Sequence, residues 1–143
     1  MYGMMLPSGN DAAQVLAEFV GKRIHSGTGN SFAFINTFVA EMNRFAKHMQ
    51  LSDTIYVNAH GLRAGNKSSA QDLSLLASYM MSEPELEEIC NTKSYQSLIV
   101  NSGTERVATW ENTNKLLGRG FNGIKTGTTA AAGPCLVART TER

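Results

Sequence analysis

The chain has 143 residues, 42% hydrophobic and 17% charged, with a formal net charge of +1. That is enough for one soluble globular domain or a piece of one. The near-neutral balance offers nothing to nucleic acid or to an anionic membrane surface, and no apolar run is long enough to span a bilayer.

The opening residues, Met1 to Pro7, lack the basic region and long apolar stretch of a signal peptide. An exported enzyme carries one, so the natural start is expected upstream. Leu6-Pro7-Ser8 leads into a first helix over roughly 10–20. Pro7 is excluded from its interior, and Ser8 or Asn10 can cap its first amides. Ala12, Leu16, Phe19 and Val20 recur at helical spacing as its buried face, and Gly21 helps to end it.

After a Gly/Ser/Thr/Asn loop from His25 to Asn30, Ser31 is placed to cap a long helix reaching about Met49. Its stripe of Phe34, Ile35, Phe38, Met42, Phe45, Ala46 and Met49 reads as core. His48 at its end suits the helix dipole and needs no functional role. Thr54 to Val57 is a short extended piece, and His60 after it reads as structural. Ser69 with Asp72 resembles a capping box, opening a helix to about Met81 that buries Leu73, Leu76, Ala77 and Met80. Pro84 starts a short helix to about Cys90, with its acidic residues favourably in the first turns. Tyr95–Val100 and Arg106–Trp110 read as two strands across Asn101-Ser102-Gly103. Asn112 to Leu117 is a loop or one helical turn. Cys90 and Cys135 read as unpaired, buried and non-catalytic, small core residues with no adjacent base. No Cys/His spacing suits a metal, and no cofactor is expected.

The informative stretch is Gly123-Ile124-Lys125-Thr126-Gly127-Thr128-Thr129. Phe121 and Ile124 form strand, and Leu136-Val137-Ala138 can supply the next one. Gly127 leaves strand backbone uncovered, so another chain or a ligand can come close. Lys125 adds a fixed positive charge at the same edge. These features suit an extended, negatively charged ligand. A phosphate loop is the competing reading of Gly118 to Thr126. It fails because Ile124 separates Gly123 from Lys125, and because strand formers follow where a helix is required.

Far upstream stands Ser8-Gly9-Asn10. A Ser-x-Asn triplet followed by Lys-Thr-Gly, in that order, is the pairing found in penicillin-interacting serine enzymes. With His60-Gly61-Leu62, Ser68 to Leu73 and Asn112 to Leu117 between them, these motifs resemble the low-molecular-weight penicillin-binding proteins, the serine D-alanyl-D-alanine carboxypeptidases. The resemblance runs from about Tyr2 to Ala138. One motif is missing. The residues three before the six lysines are Phe19, Arg44, Ala64, Cys90, Asn112 and Asn122. None is serine, so there is no Ser-x-x-Lys nucleophile and base.

The resemblance implies an α+β fold of the β-lactamase/transpeptidase type. An antiparallel sheet is flanked by helices, with a helical subdomain beside it. Residues 1–143 would be the central part of a single penicillin-binding D,D-peptidase domain, truncated at both ends. It implies an acyl-enzyme mechanism on peptidoglycan stem peptides ending in D-Ala-D-Ala, and reaction with β-lactam antibiotics. Ser8 would relay a proton, Asn10 would hold the substrate amide, and Lys125 would keep the field positive and hold the Ser8 hydroxyl by hydrogen bond. Thr126 and Thr128 would contact the terminal carboxylate, with Gly127 between them on the binding edge. The full-length protein would be extracytoplasmic, with any membrane anchor outside this chain. The alternatives are a β-lactamase of the same fold, or a non-catalytic relative that binds peptidoglycan peptides or a partner protein.

Overall fold

A computed structural model describes residues 1–140. Five helices and four strands follow in the order α1 (Tyr2–Met5), α2 (Asn10–Ile24), α3 (Ser31–His48), α4 (Ala70–Met80), α5 (Pro84–Asn91), β1 (Ser94–Asn101), β2 (Thr104–Glu111), β3 (Phe121–Thr129) and β4 (Gly133–Thr140). This is the expected α+β arrangement. The chain divides into two compact units, one of residues 10–79 and one of residues 1–9 with 80–143.

The first of these units is helical. Gly21 does not end α2 but lies inside it, at its crossing with α3. A Cβ at Gly21 would lie 1.9 Å from the Phe34 carbonyl oxygen, a separation real atoms never adopt. The residues buried on α2 are therefore Ala13, Ala17 and Gly21, small side chains four apart that let two backbones approach. The helical period was legible and its phase was not: Phe19 is 54% exposed, with the Arg23 guanidinium 3.6 Å above its ring. Asn30, not Ser31, caps α3, its side-chain oxygen accepting the Ala33 N–H at 3.0 Å. The Phe/Met stripe of α3 is mostly half-buried, and Ala46 is its fully buried member.

Asp72 at the start of α4 is 4% exposed. Its own N–H donates to the Ser69 hydroxyl at 3.2 Å, half of the expected capping box. Its carboxylate turns elsewhere, accepting the Asp53 N–H at 2.9 Å and the Thr54 hydroxyl at 2.7 Å. A buried charge needs such partners. It fastens the loop after α3 to the start of α4.

The second unit carries the strands. They form two antiparallel two-stranded ribbons, β1–β2 and β3–β4. The first ribbon runs longer than the sequence pattern indicates, because its turn is only Ser102-Gly103. Both residues have positive φ (49° and 80°), as a turn matched to strand twist requires. The second has a register shift between Asn122 and Lys125: Asn122 pairs with Arg139 but Lys125 with Val137. Three steps on β3 thus oppose two on β4, a β-bulge. Leu6, Met5, Met81, Cys90 and Ile124 are the buried apolar residues here, with Asn114 the buried polar one. Cys135, expected to be buried, is exposed: it sits near the start of β4, among mostly exposed strand positions. Neither cysteine is in a disulfide.

Candidate active site

Ser8 and Lys125 are 117 residues apart in sequence and hydrogen-bonded in the structure, the lysine Nζ donating to the serine Oγ. The same ammonium donates to the Thr126 carbonyl at 2.8 Å. Two features bring them together. The bulge interrupts the simple alternation of β3, burying Ile124 against the core and releasing Lys125 as a half-buried side chain. Ser8, after Pro7, sits at φ 60°, a conformation costly for a residue with a Cβ. Ser8 is therefore not simply the cap of α2. The helix begins at Asn10, exposed at its first position in the other compact unit.

The environment of Lys125 weakens its hold on a proton. Burial pushes its pKa below the ordinary lysine value, and the nearby Cys90 works against that shift. Cys90, 1% exposed, responds in reverse: burial pushes its thiol up, and Lys125 pulls it back. A thiol pushed up in this way is neutral at neutral pH, so Cys90 is packing beneath the lysine rather than a reactive thiolate. That packing also explains Gly123. At φ +52°, a Cβ there would come 3.2 Å from the Cys90 Cβ and 3.5 Å from the Met81 sulfur.

Beyond Lys125 the strand opens. Gly127 and Thr128 are exposed, paired with Cys135 and Pro134. A Cβ at Gly127 would meet nothing within 4 Å. The Thr126 hydroxyl is hydrogen-bonded to that of Thr113.

Three residues of the Asn112 to Leu117 segment, to which sequence reading assigned no individual role, hold this arrangement. Asn112 donates through Nδ2 to the Thr92 carbonyl (3.0 Å) and the Cys90 carbonyl (3.3 Å), capping the end of α5. Its Oδ1 accepts the Asn114 N–H at 2.9 Å. Asn114, 5% exposed, donates to the Gly123 carbonyl at the bulge and accepts the Leu116 N–H at 3.0 Å. Thr113 between them reaches Leu6, two residues before Ser8, by its N–H at 3.1 Å and its hydroxyl at 3.3 Å. The available signal was the run Asn-Thr-Asn itself, three hydrogen-bonding side chains in a segment with no regular structure to satisfy.

A family model described as D-alanyl-D-alanine carboxypeptidase matches residues 1–143. The chain belongs to the D-alanyl-D-alanine carboxypeptidase family. It is 36% identical over 142 residues to the D-alanyl-D-alanine carboxypeptidase of Streptomyces sp. (strain K15), covering 96% of this chain and 47% of that protein. To D-alanyl-D-alanine carboxypeptidase DacC of Escherichia coli (strain K12) it is 32% identical over 142 residues, covering 98% of this chain and 32% of the other. Among solved structures, the Streptomyces K15 DD-transpeptidase matches with a TM-score of 0.87 at 35% identity, over 99% of this chain and 54% of that one. Penicillin-binding protein D2 from Listeria monocytogenes, in a cefotaxime-bound form, matches with a TM-score of 0.72 at 32% identity, over 99% of this chain and 52% of the other. The chain thus spans about half the length, or less, of the carboxypeptidase-family relatives it matches.

Proposed function

We propose that the chain forms the Lys-Thr-Gly side of the catalytic site of a serine-type D-Ala-D-Ala carboxypeptidase. Its nucleophile would come from a Ser-x-x-Lys segment outside these 143 residues. The observation that carries this reading is the hydrogen bond from the Lys125 ammonium to the Ser8 hydroxyl, beside the exposed Gly127-Thr128 edge. Family membership supports the reaction class, acyl transfer from a peptide ending in D-Ala-D-Ala.

In this reaction a serine oxygen attacks the carbonyl between the two D-alanines. The C–N bond breaks, the terminal D-alanine leaves, and water hydrolyses the ester. The departing amine must gain the proton that the nucleophile loses. Ser8 is the relay, a hydroxyl that gives one proton while taking another. Lys125, at the Ser8 oxygen, fixes that hydroxyl and supplies positive charge where negative charge develops. Asn10, two residues after Ser8, orients the substrate amide. Thr126 and Thr128 take the terminal carboxylate, the Thr128 N–H is an oxyanion donor, and Gly127 lets the peptide backbone lie close. The substrate is the peptidoglycan stem peptide, β-lactams react at the same site, and the working location is extracytoplasmic. No helix among the described residues is long and apolar enough to cross a membrane.

Fluorescent penicillin separates the possibilities on the natural gene product. A long-lived covalent adduct, with release of D-alanine from a D-Ala-D-Ala peptide, is expected. Rapid turnover of the label would replace this reading with a β-lactamase. No label and no D-alanine release would replace it with a non-catalytic peptide-binding relative.

A further inference from the structure

Thr113 stands outside both sequence motifs yet touches the residues on either side of the candidate catalytic pair. Its hydroxyl is bonded to the hydroxyl of Thr126, which follows Lys125, and reaches the carbonyl of Leu6 at 3.3 Å. Its backbone N–H donates to the same Leu6 carbonyl at 3.1 Å. The segment that carries it is anchored by Asn112 and Asn114, so Thr113 is a fixed post rather than a loose loop residue.

The proton count at this post has a consequence. A threonine hydroxyl donates one proton and accepts at two lone pairs. While Thr113 donates to Leu6, Thr126 can satisfy the contact between them only by donating to Thr113. Its own proton is then turned away from the open edge of β3. The Leu6 carbonyl keeps the Thr113 N–H whichever way the hydroxyl points, so the Thr113 proton can swing to the Thr126 oxygen without orphaning that carbonyl. Thr126 is then free to donate outward, and a donor that is itself accepting a hydrogen bond is polarised and strengthened.

We propose that Thr113 is a positioning residue that turns the Thr126 hydroxyl into a donor for the substrate's terminal carboxylate, and so sets the preference for a free acid. This rests on the carboxypeptidase reading above, in which Thr126 meets that carboxylate. Thr113 never touches the reacting carbonyl. Its loss should therefore change discrimination at the carboxylate rather than the chemistry common to all ligands.

The test is the second-order acylation rate of the natural gene product with benzylpenicillin and with its methyl ester, which lacks the anion. Thr113→Val keeps the shape and removes the hydroxyl, while Thr113→Ser restores it. The acid-over-ester ratio should fall about tenfold in Thr113→Val, the scale of one hydrogen bond to a charged group. The ester rate should barely move, and Thr113→Ser should keep the parent ratio. A parent that takes no label overturns the carboxypeptidase reading and this proposal with it. A parent that prefers the acid, with a Thr113→Val variant that prefers it equally, overturns this proposal alone. If the valine variant does not fold, the serine variant still decides. A parent-like ratio in Thr113→Ser beside a reduced one in Thr113→Ala supports the proposal, and equal ratios in the two sink it.

Discussion

Lys125 carries two opposing demands. Burial disfavours its ammonium, which costs stability, while the proposed chemistry needs the charge beside Ser8. Lys125→Met should separate them. Acylation by penicillin should fall about a hundredfold or more, since losing one well-placed electrostatic donor costs about 3 kcal/mol in the transition state. The urea midpoint should stay level or rise, because the buried charge is gone. The pH dependence follows from the lowered pKa. The folded chain gives up this proton more readily than the unfolded one, so the penalty is full below the folded pKa. It is relieved as the pH climbs through the folded pKa towards the ordinary lysine value. Over that window the parent should gain stability relative to Lys125→Met while its acylation rate falls. Cys90, pushed up by burial, acts in the opposite sense, which is why the comparison is made against the variant at each pH. An acylation rate unchanged in Lys125→Met would remove this strand from the active site.

Among the elements, the α2–α3 crossing makes the sharpest demand on sequence. Alanine in place of an ordinary helix-interior glycine stabilises by about 1 kcal/mol. At Gly21 the same methyl would run into the Phe34 carbonyl, which is backbone and cannot turn aside. Gly21→Ala should therefore destabilise, and Gly21→Val should cost about 3 kcal/mol, the upper range for overpacking. Urea unfolding followed by helical circular dichroism reads both. A Gly21→Ala variant more stable than the parent would mean that the two helices do not approach here. The periodicity of α2, α3 and α4 was legible because apolar spacing reports a helix directly, while α5 was read from Pro84 at its start and the acidic residues of its first turns. The phase of α2 was not. Its contact face is made of Ala13, Ala17 and Gly21, which carry little hydrophobic signal, while the larger Phe19 lies outside.

At the scale of the molecule, the chain covers 54% of the length of the Streptomyces K15 DD-transpeptidase chain at a TM-score of 0.87. None of its lysines follows a serine by three positions. Ser8, held by Lys125, has no base at the spacing acylation needs. The 143-residue polypeptide by itself should release no D-alanine from a D-Ala-D-Ala peptide and take no penicillin label. The same assays on the natural gene product should give both. Steady D-alanine release by the isolated polypeptide would show that the nucleophile lies within it and that the motif reading missed it.

Two kinds of information had separate sources. The family, the α+β class, most helix positions, the first hairpin and the two strands of the second ribbon were readable from residues alone. They rest on local chemistry: apolar spacing, turn residues, and the ordered triplets Ser8-Gly9-Asn10 and Lys125-Thr126-Gly127. That Lys125 meets Ser8 was implied by the family resemblance, but how the chain builds that meeting was decided only by the tertiary structure. No pattern along the chain reports that a bulge before Lys125 re-aims it towards Ser8, or that Asn112, Thr113 and Asn114 brace that arrangement. The reason is physical. A hydrogen bond between residues 117 positions apart leaves no periodic trace in either segment, whereas a helix face or a hairpin turn imprints its geometry on neighbouring residues.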